Sequence, residues 1–221
     1  MSRNSSRHPG PVPGSTVPLL QRALIADADE PRNSSALTKT IIRLLRDHPL
    51  ALLLLLAAAL RTLAAITPGF HHPDAIYQYL EPANRLLTGD GLVTWEWRAG
   101  MRSWLLPTLL AVPMALGRSL DPSGDLALLL PRIAVALASL SIVWAGWSLG
   151  ERVSRGAALL GALVAATWFE LVHFGAQTLS EPVASAAFLP AAILTTRDRP
   201  SRTALVAVGA LLALATLLRP H

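Results

Sequence analysis

The residues best suited to chemistry in this chain are concentrated in the segment His71–Pro107, with the sequence HHPDAIYQYLEPANRLLTGDGLVTWEWRAGMRSWLLP. Carboxylates such as Asp74 and Glu81 can accept a proton, and arginines such as Arg98 and Arg102 can bind phosphate oxygens. The tryptophans among these charges are typical of the boundary between water and membrane. Anchoring at that boundary accounts for the tryptophans but not for the carboxylates and arginines. We therefore interpret the segment as the active-site loop of a membrane enzyme.

The composition indicates a membrane protein rather than a soluble domain. Of the 221 residues, 52% are hydrophobic and 15% are charged, and the mean hydropathy is +0.44. The absence of cysteine excludes disulfides, thiolate nucleophiles and cysteine-based metal sites. Seven of the 19 basic residues precede position 48, so the net charge of +5 indicates membrane topology rather than nucleic-acid binding.

The chain is predicted to begin with a disordered cytoplasmic tail over residues 1–38, which are rich in Ser, Pro, Asn and Arg. The first apolar run, Pro49–Thr67, is long enough to span a bilayer, and the segment before it is too long for a secretory signal. Lys39, Arg43 and Arg46 precede this run, which places the N-terminus in the cytoplasm. We expect Arg61, in the outer half of the run, to snorkel outward, with an acidic partner as the alternative.

The charges between the later apolar runs decide which of them span the membrane. The run Trp104–Gly117 has 14 residues and two prolines, which is typical of an interfacial or re-entrant helix. If this run does not span, the basic loops 150–155 and 197–202 both lie in the cytoplasm, as the positive-inside rule requires. We therefore predict an all-α polytopic membrane domain over 39–221, with an extracytoplasmic loop over about 68–125. The five predicted spans cover about 49–67, 126–149, 156–174, 182–196 and 203–219.

An amphipathic helix is predicted at the start of the loop. Pro73 suits the first turn of a helix, and Asp74 beside it favours the positive end of the helix dipole. We expect Pro82 to kink this helix and the turn Thr88–Gly91 to end it. The alternative is a surface helix whose charges are only solvated. At helical spacing, the residues expected to face water are Asp74, Gln78, Glu81 and Arg85, and those expected to face lipid or protein are Ile76, Leu80, Ala83 and Leu87.

Residues 72–107 resemble the first-loop signature of glycosyltransferase family 22. This family comprises lipid-phosphate-mannose mannosyltransferases, including enzymes of GPI-anchor and N-glycan synthesis. Its signature is close to HPDE-x-x-Q-x-x-E, followed by G-x-x-TWEW and RS-x-x-x-P. The rest of the chain resembles the amino-terminal transmembrane module of the GT-C fold more loosely. The expected fold is therefore an amino-terminal GT-C-like fragment whose long first extracytoplasmic loop contains amphipathic and interfacial helices.

The resemblance implies an inverting transfer of mannose from a polyprenyl or dolichyl phosphate to an acceptor hydroxyl, on the extracytoplasmic side. Asp74 aligns with the catalytic carboxylate of the family and would take the proton of the attacking hydroxyl as general base. The departing lipid phosphate is already a stable anion, so one carboxylate suffices, unlike the two required in glycoside hydrolysis. The implied partners are the lipid-linked donor, a glycan or glycolipid acceptor and the bilayer. No cofactor and no nucleic acid are expected.

Six further residues are expected to bind substrate: His72, Gln78, Glu81, Glu96, Arg98 and Arg102. The three basic residues among them could stabilise the donor phosphate, with interfacial anchoring as the alternative. Gln78 and Glu81 match family positions and could bind sugar or orient the base. Glu96 could pair with a neighbouring arginine. The flanking Trp95 and Trp97 are expected to lie among the lipid headgroups.

Residues beside and beyond the signature leave the composition of the site open. The family usually has an acidic residue where this chain has Ala75, and the chemistry survives if Asp74 alone is the base. No metal site is predicted, because the side chains of HHPD would point in different directions at the start of a helix. Glu170, His173 and Glu181 flank the outer end of the third span. We expect them to be interfacial, with a place in the catalytic cavity as the alternative.

Two other functions remain open at this point. One is a transporter or lipid-binding membrane module in which the loop helix gates a cavity, and the other is a truncated homologue that no longer acts. A transporter predicts paired ionisable residues at mid-membrane and repeated halves, and the sequence shows neither, apart from Arg61 and Arg132. The single lysine among 19 basic residues, with many Ala and Leu, indicates a GC-rich bacterial source and hence a plasma-membrane location.

Overall fold

The structure is a computed structural model that describes residues 43, 46–69, 72–196 and 200–219. The chain divides into two units, Met1–Arg43 and Leu44–His221. The predicted tail over 1–38 lies outside the described residues, so the described fold is that of the second unit. Within it, every regular element is a helix. This agrees with the predicted all-α class.

The described part of the second unit contains eleven helical elements. They are α1 (Pro49–Ile66), π1 (Ala75–Leu80, a π-helix), α2 (Glu81–Thr88), α3 (Trp95–Arg98), α4 (Leu105–Leu120), α5 (Asp125–Ala138), α6 (Leu140–Gly150), α7 (Arg155–Thr167), α8 (Phe169–Phe174), α9 (Ser180–Thr195) and α10 (Arg202–Leu218). Helices corresponding to the runs 49–67, 182–196 and 203–219 begin and end within two residues of the expected positions. We call π1 and α2 together the loop helix.

Two of the predicted spans are each divided into two helices. The stretch 126–149 is interrupted at Ser139, between α5 and α6, and the stretch 156–174 is interrupted at Trp168, between α7 and α8. Trp168 has φ −59° and ψ 126°, which ends the helical path of α7. The last carbonyl groups of α7 therefore need hydrogen-bond donors from elsewhere in the fold. The apolar pattern of the sequence predicts neither interruption.

Arg61 supplies those donors. Its side chain is buried, with 1% exposed, and Nη2 donates to Ala165 O at 2.8 Å while Nη1 donates to Ala166 O at 3.3 Å. Its Nε donates to Ser139 Oγ at 2.9 Å. One guanidinium thus joins α1 to both helix interruptions, because its fork carries five donors in a fixed plane. The snorkelling expected for Arg61, and its acidic alternative, are therefore wrong, since its hydrogen bonds go to neutral oxygen atoms inside the fold.

Arg132, on α5, is also buried and caps the C-terminal end of α1. Its Nη1 donates to Thr67 O at 3.2 Å, and its Nη2 donates to Ala64 O at 3.0 Å. These carbonyl groups belong to the last turn of α1, where intrahelical donors run out. Because Thr67 precedes Asp74 by seven residues, this contact fixes the point from which the loop departs.

A core cluster holds the loop helix against α4. Its buried members from the two helices are Ala75, Tyr79, Leu80, Ala83, Leu106, Leu110, Ala111 and Met114. The predicted interfacial helix Trp104–Gly117 is present as α4, three residues longer at its end. Its opposite face leaves Val112 and Leu116 exposed. The loop helix is therefore packed on a neighbouring helix along its apolar side rather than lying free.

By length and composition, two stretches of the described residues could cross a membrane: Pro49–Ile66 and Asp125–Gly150. Leu105–Leu120, Arg155–Thr167 and Arg202–Leu218 are apolar but shorter. Large apolar side chains point outward on several helices, including Leu55 on α1 and Val206 on α10. Exposed apolar surface of this kind is expected where lipid replaces water. The five-span topology stays a prediction.

Candidate active site

Asp74 stands immediately before π1, on the wall of a cavity. This cavity, which we call the Asp74 cavity, has a volume of about 460 Å³ and extends between the start of the loop, α8 and the first half of α9. Its polar lining residues are His72, Asp74, Glu170, Glu181 and Ser185. The side chain of Asp74 is 48% exposed. Its carboxylate is therefore accessible to a molecule bound in the cavity.

His72 lies directly beside this carboxylate. The backbone N–H of Asp74 donates to His72 Nδ1 at 3.3 Å, and the same Nδ1 lies 3.9 Å from Asp74 Oδ2. A nitrogen that accepts a hydrogen bond carries no proton, so this contact assigns the proton of a neutral imidazole to Nε2. His72 thus orients the turn that carries Asp74, and the structure brings these two sequence-predicted residues together.

Hydrogen bonds fasten the loop helix to the start of α9. Thr178 Oγ1 donates to Ala75 O at 3.3 Å, and Tyr79 Oη donates to Ser180 Oγ at 2.8 Å. Ser180 Oγ in turn donates to Glu181 Oε2 at 3.2 Å. Burial raises the pKa of Tyr79, so its hydroxyl keeps the proton that it donates. The relay from Tyr79 through Ser180 fixes Glu181 beside the loop helix.

A second polar network joins the loop helix to the tryptophan-rich segment. Buried Gln78 donates from Nε2 to Glu96 Oε2, and its Oε1 accepts from Thr94 Oγ1 at 3.3 Å. Glu96 Oε1 also accepts from Arg102 Nη2 at 3.0 Å, forming an ion pair. Three of the predicted substrate-binding residues therefore contact one another. The expectation that Glu96 pairs with a neighbouring arginine is confirmed for Arg102.

Arg102 keeps its positive charge beside Glu96. Burial alone would lower the pKa of Arg102, but the hydrogen bond that it donates to Glu96 and its electrostatic interactions with Tyr79, Glu96 and, least of all, Asp74 raise that pKa above its ordinary value. Arg102 therefore stays positively charged. Because its guanidinium is largely covered and already holds Glu96, it is better placed to stabilise the site than to receive a phosphate.

The π-helical turn changes which faces the loop helix presents. The N–H of Glu81 donates to Ile76 O, five residues earlier, and this bond shifts the helix register by one residue. Gln78, expected to face water, is consequently buried in the network. Glu81 is not part of the Asp74 cavity. Its Oε2 accepts a hydrogen bond from Leu92 N–H at 3.0 Å, and its side chain borders a different cavity of about 740 Å³. The predicted polar face is thus divided between separate environments.

Arg98 and the tryptophans take different positions in the same segment. Arg98 is exposed, and its side chain makes no hydrogen bond or ion pair with the residues that the structure describes. Trp95 is exposed, whereas Trp97 is buried and packs on Trp104 with ring centroids 4.4 Å apart. Trp95 therefore suits the predicted headgroup position, and Trp97 belongs to the protein interior.

Residues far along the chain complete the Asp74 cavity. Glu170 and Glu181 both line it, which favours their alternative placement in the catalytic cavity over the interfacial one. His173 instead packs its ring on Phe169 and Phe174. Within the described ranges, no group of three or more His, Asp or Glu side chains is arranged to hold a metal ion.

Two members of the site have no signal in the sequence motif. Ser180 joins Tyr79 to Glu181, and Arg219 Nη1 lies 3.5 Å from Glu181 Oε1. Arg219 follows α10 at the end that the predicted topology places outside, next to the outer end of α9. Only that topology could have indicated the proximity of Arg219 and Glu181, because 38 residues separate them in the sequence.

The comparison with known families gives an independent result. The sequence profile of the Alg9-like mannosyltransferase family, glycosyltransferase family 22, matches residues 52–221. The chain belongs to this family. The match confirms the resemblance found in residues 72–107 and extends it over the helices that surround the Asp74 cavity. No solved structure shows significant similarity to the chain.

Several curated members of the family are similar to part of the chain. GPI mannosyltransferase 3 of Drosophila melanogaster is 35% identical over 134 residues, which cover 58% of this chain and 22% of that protein. GPI mannosyltransferase 3 of Yarrowia lipolytica is 38% identical over 129 residues, or 54% of this chain and 25% of that protein. Mannosyltransferase APTG1 of Arabidopsis thaliana is 44% identical over 48 residues, or 22% and 9%. The chain spans a quarter or less of the length of these relatives, and their eukaryotic origin gives a bacterial plasma membrane no support.

Proposed function

We propose that the protein transfers mannose from a polyprenyl- or dolichyl-phosphate donor to an acceptor hydroxyl, with inversion, and that Asp74 is the general base. The observation that carries this proposal is the half-exposed carboxylate of Asp74 on the wall of a cavity large enough for a sugar. The carboxylate belongs to the loop whose sequence matches the family signature. Family membership supports the mannosyl group as the unit transferred.

The proposed reaction needs one base and one displaced anion. As the acceptor oxygen attacks the anomeric carbon, its proton passes to Asp74, and the bond between that carbon and the phosphate oxygen breaks with its electron pair on the phosphate. Attack from the face opposite the phosphate inverts the anomeric configuration. His72 orients the turn that carries Asp74, and the half-exposed carboxylate stays open to the acceptor.

We also propose a multi-pass membrane arrangement with a cytoplasmic tail over 1–38 and a membrane domain over 39–221. Two observations support it. Asp74 and Glu181 line one cavity and Glu181 pairs with Arg219, although the three residues lie at or after the ends of three different predicted spans, as expected if all three face the same side. Arg152 lies between α6 and α7, and Arg155 begins α7, in the loop assigned to the cytoplasm.

The transporter alternative gains no support from the structure. It could use Arg61 and Arg132 as ionisable residues within the membrane. Both guanidinium groups donate to carbonyl oxygens at helix ends, which is a structural use of the charge. A homologue that no longer acts is separated from an enzyme by the experiment below.

The test is mannose transfer by the intact protein in isolated membranes supplied with labelled polyprenyl-phosphate mannose. Replacement Asp74→Asn should reduce transfer by about 100- to 10,000-fold, the range typical of a general base. Asp90→Asn, an exposed carboxylate in the turn after the loop helix, is the matched control and should retain activity. Membrane insertion of both variants is checked by protease protection. Normal transfer by the inserted Asp74→Asn protein would contradict the proposal, and no transfer by the wild type would favour the inactive homologue.

A further inference from the structure

Glu181 and Arg219 form an ion pair at the edge of the Asp74 cavity. Arg219 Nη1 lies 3.5 Å from Glu181 Oε1, and the two side chains are 48% and 49% exposed. Ion pairs this exposed contribute little net stabilisation, so a ligand can replace either partner without disrupting the fold. Glu181 is also held from the other side by Ser180, whereas Arg219 has only this carboxylate as an ion-pair partner among the described residues.

The pair lies between two adjoining cavities. The Asp74 cavity includes Glu181 and Ser185 in its wall, and both residues also line a second, shallower cavity of about 290 Å³. This second cavity, which we call the Arg219 cavity, lies between the first half of α9 and the end of α10. Glu181 therefore belongs to the walls of both cavities, with Asp74 in one and Arg219 in the other.

The charges of the two cavities differ. Three carboxylates, those of Asp74, Glu170 and Glu181, line the Asp74 cavity, and His72 is the one basic residue in its described lining. Such a cavity repels a phosphate and offers acceptors for sugar hydroxyl groups. The Arg219 cavity shares Glu181 but adds a guanidinium, whose planar fork matches phosphate oxygens. The charged groups in its described lining are therefore balanced rather than mainly acidic, so this cavity suits an anion better than the Asp74 cavity does.

We infer that Arg219 binds the phosphate of the lipid-linked donor and that Glu181 binds hydroxyl groups of its mannosyl ring, with the ring in the Asp74 cavity. This inference rests on the proposed mannosyl transfer. It places the acceptor beside Asp74 and the phosphate beside Arg219, since these two residues line different cavities that share Glu181. Displacement with inversion requires the acceptor and the phosphate on opposite faces of the sugar, and two separate cavities allow this arrangement. It also assigns the phosphate to a residue outside the His71–Pro107 segment.

The reaction increases the charge that Arg219 would contact. When the bond from the anomeric carbon to the phosphate oxygen breaks, the electron pair converts a phosphodiester with one negative charge into a phosphomonoester that carries a second. A guanidinium already in place stabilises that developing charge more strongly than it stabilises the bound donor. Arg219 is therefore expected to affect both donor binding and the rate of transfer.

The experiment measures transfer by the intact protein in membranes, with a short-chain polyprenyl phosphate as an inhibitor competing with the donor. Arg219→Ala should lower kcat/KM for the donor by about 100- to 1,000-fold, as found when one donor to a developing anion is removed. It should also raise the inhibition constant of polyprenyl phosphate at least about tenfold, because this probe carries the phosphate without the sugar. Arg219→Lys, which keeps the charge but loses the fork, should recover part of both losses.

Glu181→Gln separates the two halves of the subsite. It should lower kcat/KM for the mannosyl donor but leave the inhibition constant of polyprenyl phosphate unchanged or lower, because a competing carboxylate has been removed from Arg219. The KM of the acceptor should not change in Arg219→Ala or Arg219→Lys. Arg152→Ala is the control for the loss of any exposed arginine, since Arg152 lies between α6 and α7 and lines neither cavity. Its kcat/KM and inhibition constant should match those of the wild type.

An unchanged inhibition constant in the Arg219→Ala and Arg219→Lys proteins would overturn the inference. If Arg219→Ala does not insert, Arg219→Gln, which keeps a polar side chain without the charge, decides the outcome, since wild-type inhibition by polyprenyl phosphate in that variant would equally exclude phosphate binding by Arg219. These results are independent of the general base. Activity in Asp74→Asn would refute the proposed mechanism, whereas full loss in Asp74→Asn with normal phosphate binding in Arg219→Ala would refute only the subsite.

Discussion

Replacing Arg61 with methionine should destabilise the protein, although Arg61 is not among the residues that line the Asp74 cavity. Arg61→Met keeps most of the side-chain length but removes the hydrogen bonds to Ala165 O and Ala166 O. Those carbonyl groups follow the last intrahelical bonds of α7, so the substitution leaves them without donors beside the helix interruption. Ser139 Oγ loses its donor as well, although it still donates to Ala136 O at 2.7 Å.

The magnitude follows from these contacts. Each buried acceptor left unsatisfied costs about 1–3 kcal/mol, which gives about 2–6 kcal/mol for the two carbonyl groups. Removing a buried guanidinium also removes its desolvation cost, which offsets part of this loss. We therefore expect a net destabilisation of about 3 kcal/mol, corresponding to a fall in Tm of about 6–12 °C for a chain of this size. The Tm of Arg61→Lys should lie between those of the wild type and Arg61→Met, because a single ammonium group cannot reach all three oxygen atoms that the planar guanidinium contacts.

The assay is thermal unfolding of the purified protein in detergent, followed by circular dichroism. Arg152→Met is the matched control, since Arg152 is exposed and donates to the single carbonyl of Ile193 at 2.9 Å. Its free energy of unfolding should change by less than about 1 kcal/mol. A Tm for Arg61→Met equal to that of Arg152→Met would refute the assignment of Arg61 as the donor that stabilises the two helix interruptions.

Two further predictions concern the loop helix. Ala75→Glu, which restores the acidic residue of the family signature, should destabilise the protein by about 2–4 kcal/mol in the same unfolding assay, because Ala75 is fully buried in the core cluster; unchanged stability would show that the position has room for a carboxylate. The raised pKa of Tyr79 means that the unfolded chain releases this proton first, near pH 10, so the stabilisation is complete below about pH 10 and is lost as the pH rises through the higher folded pKa. The Tm of the wild type should consequently fall more steeply above about pH 10 than that of Tyr79→Phe, and parallel curves would contradict the shift.

Much of the helical arrangement follows from sequence patterns. Apolar runs bounded by charged residues predict α1, α4, α9 and α10, because charged side chains are costly to bury in lipid or in a protein core and therefore mark the ends of each run. The interruptions at Ser139 and Trp168 carry no such signal, since apolar residues lie on both sides of each. Their stability depends on the guanidinium of Arg61, which comes from α1. A hydropathy scale gives an arginine only an unfavourable transfer free energy and contains no information about the hydrogen bonds it can donate. The misplaced expectation for Arg61 has this origin.

The candidate site was predictable where its residues are neighbours in the chain. Asp74 and His72 follow from a local motif, and Glu96 and Arg102 lie six residues apart. Gln78 and Glu81 were assigned to one face by ordinary helical spacing, which a π-helical turn breaks. Ser180 and Arg219 reach the site only through the packing of α9 and α10 against the loop helix and each other. Contacts of this kind depend on tertiary structure that periodicity does not encode.

The central claim is that Asp74 takes the proton of the acceptor. Single-turnover transfer at saturating polyprenyl-phosphate mannose tests it most directly, because this measurement separates the chemical step from donor binding. The account predicts that Asp74→Asn slows the single turnover by about 100-fold or more while the Kd of the donor stays within about threefold of the wild type. A single-turnover rate in Asp74→Asn equal to that of the wild type would contradict it.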